Sequence, residues 1–390
     1  MKKIYLYVLI VFISITFSLY LTEGYINYNL SINEVNVSKK IKLYEKEKNK
    51  KFDVRSKLQV YRDLIKKNSK ITSVSAPSFM NDPNKKLFFL SGISNSKTIS
   101  CNENGYYSIF ESDRYGFNNP DNEWDKEEIE FLLLGDSYAQ GACVNRPNDI
   151  TSVLRSISKK SALNFGYRGS GPLMYYATLL EYYKKNTKNI LWLHFEGNDL
   201  SDLKLELTHE ILKNYYSNNS FKQNLKQKQN YVDIQTKKII LEALKKDDDK
   251  IEDDNKNLLL KYKILKFIRL NHTKTIIKSI FKKKEKDNLP FKEFEEILIL
   301  AKKFALKNNS NFYFIYLPQH ERYNQKIQNK NYHDVKKIVK NLEINFIDVH
   351  EELFIKLENP LDLFPFKMWG HYNEIGYDKV ARFIYSRIKN

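Results

Sequence analysis

From residue 129 onward, short, nearly unbroken apolar runs alternate with longer stretches whose apolar positions recur every three or four residues. The runs at 129–134, 162–165, 189–195, 311–317 and 344–349 have strand length and too few polar positions for a half-solvated sheet. The stretches at 149–159, 173–183, 291–307, 335–341 and 374–388 carry the helical period. Continuous apolar strands separated by amphipathic helices predict a parallel sheet covered on both faces, hence an α/β chain with a three-layer α/β/α domain.

Two regions depart from this alternation. Met1-Lys-Lys is followed by an apolar stretch at 4–21, interrupted only by Ser14, Thr16 and Ser18. It is just long enough to span a bilayer, and no small-residue cleavage site follows, which favours an uncleaved signal anchor over a removed signal peptide. Lys2 and Lys3 on the short side predict a cytoplasmic amino terminus, with the bulk of the chain extracytoplasmic, in the periplasm or at the cell surface. Residues 27–70 are polar, basic and helical in pattern. Residues 71–110 read as loops and edge strands, and 112–121 as an ordered, turn-rich aromatic loop. The second departure spans 205–290, where a segment rich in Lys, Gln, Asp and Asn is followed at 258–284 by one that is both apolar and basic. This reads as a helical insertion on the sheet, either a solvated cap or a surface helix returning to the membrane. The expected organisation is therefore an anchor at 1–22, a stalk and leader at 23–110, a split α/β domain at 111–204 and 291–390, and the insertion at 205–290.

Charge changes this picture little. The 390 residues include 65 Lys and Arg against 47 Asp and Glu, a formal net charge of +18. No zinc-finger spacing, RNA-binding aromatic signature or helix-turn-helix pattern accompanies it, so nucleic acid is not an expected partner. A basic surface facing an anionic membrane or an acidic polysaccharide is. The two cysteines, Cys101 and Cys143, bracket the first core strand. In an exported protein they would form one disulfide, the alternative being two buried thiols.

Candidate chemistry lies at the ends of the predicted strands. Gly135-Asp136-Ser137 turns the chain from the first strand into a helix, where a serine is exposed beside unpaired backbone N–H groups. Asn164 to Gly171 follows the second strand, Gly197-Asn198-Asp199 the third, and His371 precedes the last helix. Nucleophilic acyl transfer needs a hydroxyl, a base and oxyanion donors. Ser137, His371, and the backbone N–H groups of Ser137 and a glycine with the Asn198 amide would supply them. His194 falls inside a strand and reads as buried, His320 follows a strand end and could line a cleft, and Tyr138, Tyr167 and Trp369 could stack on sugar rings. The histidines lack metal-ligand spacing, so no metal is expected. Neither a Gly-x-Ser-x-Gly elbow nor a Gly-Lys-Ser/Thr phosphate loop is present.

This constellation resembles the SGNH, or GDSL-type, hydrolase superfamily, from about residue 112 to 388 without the insertion. Gly135-Asp136-Ser137 matches the first motif. The second-block glycine is best placed at Gly169, with Gly166 or Gly171 as alternatives. Gly197-Asn198-Asp199 matches the third block with its glycine shifted by one. His371, Asn373 and Gly376 match the last. The resemblance implies a flavodoxin-like α/β/α domain, a nucleophile at Ser137, a base at His371, and an oxyanion and substrate-binding set of Asp136, Gly169, Asn198 and Asp199. The family's orienting aspartate should stand at 368, where this chain has Met368. Asp362 is the nearest upstream carboxylate, and a Ser-His dyad or a backbone carbonyl on His371 are the other options. The function implied is a serine esterase or O-acyltransferase on acyl esters, most plausibly acetyl, of surface carbohydrate, without a cofactor. A membrane acyl-donor protein is a candidate partner. The competing expectation is a non-catalytic glycan-binding or assembly protein retaining the fold.

Overall fold

The computed structural model describes residues 2–74, 86–218, 220–257, 260–281, 289–325 and 329–389. The lysines at 282–284, which close the basic part of the insertion, and the segment at 75–85 lie outside the described residues. The chain divides into two compact units, one of residues 1–52 and 246–288, the other of 53–245 and 289–390.

Helix α1 runs unbroken over Lys2–Lys48. Then come α2 (Lys57–Ile65), with a Ser56–Gln59 capping box, and three short strands, β1 (Ile71–Ser73), β2 (Lys97–Ile99) and β3 (Ile109–Glu111). The α/β alternation follows: β4 (Ile129–Leu134), α3 (Ser137–Gln140), α4 (Ile150–Ser158), β5 (Ala162–Asn164), α5 (Pro172–Tyr182) and β6 (Thr187–Phe195). Helices α6 (Asp199–Glu206), α7 (Glu210–Ser217), α8 (Gln229–Asn257), α9 (Leu260–Ile268) and α10 (Asn271–Phe281) interrupt it. It resumes with α11 (Phe291–Lys307), β7 (Asn311–Leu317), α12 (His320–Asn324), α13 (Tyr332–Asn341), β8 (Asn345–Asp348), α14 (Val349–Glu352) and α15 (Glu374–Lys389).

The larger unit is built on a five-stranded parallel sheet of order β5-β4-β6-β7-β8. Side chains alternate across it with period two. Ile190 and Trp192 of β6 and Phe312, Phe314 and Tyr316 of β7 join one core, roofed by α5, α11 and α13. Leu191, Leu193, Ile315 and Leu317 point the other way, into a core closed by α4 and α15. On α15 the buried positions Tyr377, Val380, Ala381 and Ile384 fall at helical spacing and make one apolar stripe. Each large apolar side chain fully buried this way contributes about 2–3 kcal/mol. The three-layer α/β/α domain expected from the sequence is the one observed, and the strands agree with their expected spans to within two residues.

In strand order of appearance the sheet runs 2-1-3-4-5, the flavodoxin-like arrangement, in which the first and third strands flank the topological switch point. The carboxyl ends of β4 and β6 meet there, so both Ser137 and Asn198 are delivered to one crevice. The expected stalk at 23–110 divides instead. Residues 53–74 and 86–110 belong to the larger unit, where β1, β2 and β3 form a separate sheet (β1 parallel and β3 antiparallel to β2) under α2. Such three-residue strands are too short to show periodicity. The insertion divides as well, its part up to 245 packing with the larger unit and 246–288 grouping with α1. The 112–121 loop is ordered, as expected. Buried Asp113 accepts hydrogen bonds from the Trp124 indole at 2.7 Å and the Asn119 amide at 2.9 Å, and Asn119 in turn bonds the backbone of Asn164 at the end of β5.

Candidate active site

Gly135 and Gly166 let the chain place its serine. A side chain at Gly135 would come within 2.6 Å of the Ala139 Cβ, and one at Gly166 within 2.4 Å of the Gln140 backbone nitrogen. Helix α3 is therefore wedged between two positions that only glycine can fill. Asp136 caps it, accepting from the Tyr138 N–H at 2.8 Å, while the Asn164 and Asn118 amides take the carbonyls of Ala139 and Gln140. Ser137 is thus fixed at the first turn of a helix whose far end is fully satisfied.

His371 reaches Ser137 from the opposite wall. Its Nε2 lies 2.9 Å from the Ser137 Oγ. Its Nδ1 lies 3.0 Å from a carboxylate oxygen of Glu103, whose other oxygen accepts the His371 backbone N–H at 2.6 Å. One carboxylate therefore holds both the ring and the backbone of the histidine. Glu103 is 14% exposed, as is His371. Ser137, His371 and Glu103 form a continuous hydrogen-bonded chain, a geometry that can fix an imidazole tautomer and stabilise an imidazolium.

Glu103 is not among the residues the sequence put forward. It sits in the loop joining β2 to β3, which is pinned from several sides. The backbone of Ser100 and Cys101 pairs with Ser108, the Asn102 amide bonds the Asp53 carbonyl, and the Asn104 amide bonds the Cys143 carbonyl at 2.9 Å. The Cys101–Cys143 disulfide is formed. It ties this loop to the segment after α3, with the Cys143 sulfur 3.8 Å from the His371 Nδ1. The pairing itself was the available signal, since it places the residues around Cys101 beside Ser137. Both sulfurs are committed to each other and His371 to Ser137 and Glu103, so this cluster has acid–base geometry, not that of a metal site. Closing a 42-residue loop contributes about 4 kcal/mol in the chain-entropy account. Reduction under native conditions should release the Glu103 loop and lower ester turnover on the order of 10- to 100-fold with circular dichroism unchanged. Equal turnover of oxidised and reduced protein would show that the loop holds Glu103 without the disulfide.

Asp362 does not orient His371. Its carboxylate lies at the surface, 2.7 Å from the Lys367 Nζ, and accepts the Asn359 amide. The segment carrying Asp362 is held from behind, because Asn373 donates to the carbonyls of Asp362 and Phe364, turning the carboxyl away from the imidazole.

The remaining expected residues separate into two groups. Asp136, Ser137, Asn198 and His371 line one cleft of about 340 Å³, with Tyr138, Phe195, Gln319, His320, Glu321 and Trp369. The Tyr138 ring stacks on Phe195 at 4.0 Å and packs on His371 at 4.8 Å, forming a closed apolar wall. Trp369, 68% exposed, stands at the rim. The Asn198 amide donates to Asp202 at 2.7 Å, which uses one of its two protons. Gly169, by contrast, sits in the turn after β5 at φ 74°, and it is Gly166 that packs on α3. Asp199 is fully buried, accepting from the Tyr175 hydroxyl and the Phe195 N–H, with His194 at 3.0 Å. It fixes the end of β6 beneath the cleft, and His194 is buried as expected. Burial and the neighbouring Asp199 push the Asp136 carboxyl up to about 7. Burial pushes Asp202 up to about 8. Burial also lowers His194 to about 3, keeping it neutral.

A parallel 2-1-3-4-5 sheet that brings a serine after its first strand, an asparagine after its third and a histidine before its last helix into one crevice settles the fold. It is a flavodoxin-like α/β/α fold, the one that the SGNH/GDSL resemblance implies. No family profile matches the sequence, and neither does a curated protein. Among solved structures, one similar chain is a protein assigned to the G-D-S-L lipolytic family from Desulfitobacterium hafniense DCB-2. It shares 13% identity at a TM-score of 0.36, over 67% of this chain and 99% of that one. Another is protein YxiM from Bacillus subtilis, at 11% identity and a TM-score of 0.36, over 67% of this chain and 56% of that one. The chain thus spans little more than half the length of the second.

Proposed function

We propose that this chain is a serine esterase or O-acyltransferase acting on small acyl esters, acetyl foremost, of surface carbohydrate. The observation that carries the reading is the Glu103–His371–Ser137 hydrogen-bonded chain at the switch point of the sheet. In the forward step His371 Nε2 takes the Ser137 proton as Oγ bonds the ester carbonyl carbon. The oxyanion forms beside the Ser137 N–H and the second proton of the Asn198 amide. The C–O bond to the alcohol then breaks, and the leaving oxygen takes the proton from His371. Water or a sugar hydroxyl, deprotonated by the same imidazole, releases the acyl group from Ser137. The apolar wall of Tyr138 and Phe195 suits a short acyl chain. The exposed Trp369, with Gln319 and Glu321, suits a sugar ring at the rim. Glu103 supplies the carboxylate that position 368 lacks, and this favours chemistry over glycan binding alone.

The helix stretch Ile4–Tyr28 is long and apolar enough to cross a membrane. With Lys2 and Lys3 on its short side, the reading includes a single-pass anchor with the larger unit outside the cytoplasm, near a membrane acyl donor and surface polymers. A fluorophosphonate probe followed by peptide mass mapping tests the chemistry, with phosphonylation expected at Ser137. A chain unlabelled at Ser137 and inert towards aryl acetates would overturn it. Adding an acetylated glycan and an unacetylated acceptor then separates free acetate from transferred acetyl.

A further inference from the structure

The smaller unit contains a corner whose construction the esterase reading does not use. Helices α9 and α10 meet at Leu270, which has φ 51°, so the last carbonyls of α9 and the first N–H groups of α10 need partners outside their own helices. Helix α1 provides them. The Tyr20 hydroxyl donates to the Ile268 carbonyl at 3.1 Å, closing the end of α9. The Glu23 carboxylate, fully buried, accepts from the backbone N–H of His272 and Thr273 and from the Thr273 hydroxyl, opening α10. The ring of Phe267 packs on Tyr20, and a Cβ added at Gly24 would meet that ring at 3.9 Å.

The level of this corner along α1 follows from helix geometry. Lys3 to Glu23 is a rise of 20 residues, about 30 Å of α-helix, which is the thickness of a bilayer hydrocarbon core. With Lys3 at one interface, Glu23 and the corner lie at the other. The surface there is apolar and basic at once. Ile264 and Ile268 are 48% and 56% exposed, with Leu265, Phe267 and Ile277 also outside, and on α1, against which Phe267 packs at Tyr20, Phe17, Leu21 and Tyr25 are exposed too. The sequence from 260 to 284 holds nine Lys and Arg and no acidic residue. Exposed apolar side chains beside a membrane helix, in a segment whose sequence carries only cations, match a headgroup layer bearing negative charge.

We propose that α9 and α10 form an interfacial foot, locked to α1 through Tyr20 and Glu23, that lies in the headgroup layer opposite Lys2 and Lys3 and binds anionic phospholipid. This rests on the membrane-anchored part of the reading above and is independent of the chemistry at Ser137. Because both native cysteines are in the disulfide, the full chain accepts one labelled thiol. Ile268→Cys, carrying an environment-sensitive fluorophore, is placed in nanodiscs of phosphatidylcholine alone or mixed with phosphatidylglycerol, with Lys356→Cys as the reference. The expected result at 268 is blue-shifted emission quenched by lipid bearing a nitroxide near its headgroup, more strongly with phosphatidylglycerol, and neither effect at 356. Water-like emission at 268 in both lipids overturns the foot. Equal quenching in both overturns its preference for anionic lipid. A blue shift without quenching that rises with protein density assigns the surface to a second copy of the chain and also overturns it. A chain that fails to enter nanodiscs refutes the anchor itself, while ester turnover reports separately on Ser137.

Discussion

Ser137→Ala and His371→Ala should each lower ester turnover by a factor on the order of 10⁴ to 10⁶, and the double variant should be scarcely worse than either single one. The non-additivity is the informative part. Serine and imidazole are 2.9 Å apart and act as one unit, so removing either removes the same step. What survives would come from the Ser137 N–H, the Asn198 amide and the fit of the cleft, none of which needs the hydroxyl. Both substitutions shorten side chains at the edge of an otherwise packed crevice, so melting temperature should move by only a few degrees. Steady-state hydrolysis of an aryl acetate by the four proteins is the measurement. Additive losses in the double variant would mean that the two residues serve different steps, and undiminished turnover in Ser137→Ala would remove the nucleophile from the mechanism.

Glu103→Gln is the second large effect, with an expected loss in kcat on the order of 10³- to 10⁴-fold and KM little changed. The substitution keeps the size of the side chain and an acceptor for the His371 N–H, so the loop has no steric reason to move. It replaces an anion beside the imidazole with an amide, which withdraws the stabilisation of the imidazolium. The amide can also donate to Nδ1, leaving the proton on Nε2, where it opposes removal of the Ser137 proton. A loss of 10³-fold corresponds to about 4 kcal/mol of transition-state stabilisation. Asp362→Asn is the matching control, expected to retain full activity because its carboxylate meets Lys367 at the surface. If Asp362→Asn were the damaging change and Glu103→Gln the silent one, the assignment of the acid would be reversed.

The sheet was legible because each of its strands is a run of apolar residues long enough to exclude other readings, and the amphipathic helices between them fix the layers. Ser137, Asn198 and His371 were legible because strand ends in a parallel sheet converge at one edge, so sequence position alone implied proximity. Glu103 obeys neither rule. It lies 268 residues from His371, in a loop between strands of three residues, and its position is set by the disulfide and by hydrogen bonds from Asn102 and Asn104. Asp362 was chosen by nearness along the chain. Nearness failed because the Asn373 amide holds the backbone of Asp362 and Phe364 with the carboxyl facing Lys367.

On the proposed chemistry the acid thus precedes the nucleophile along the chain, in the order Glu103, Ser137, His371, and it comes from a loop between β2 and β3, outside the α/β layers. That order separates the folding domain from the catalytic one. A fragment trimmed to begin at Ser112 would keep all five parallel strands, the serine and the histidine, while stripping Leu87–Leu90 and Phe110 from one core. It would also lose Glu103 and leave Cys143 without its partner. On the proposed chemistry the functional boundary therefore lies upstream of the boundary that sheet topology suggests, and the loop between β2 and β3 belongs to the site itself.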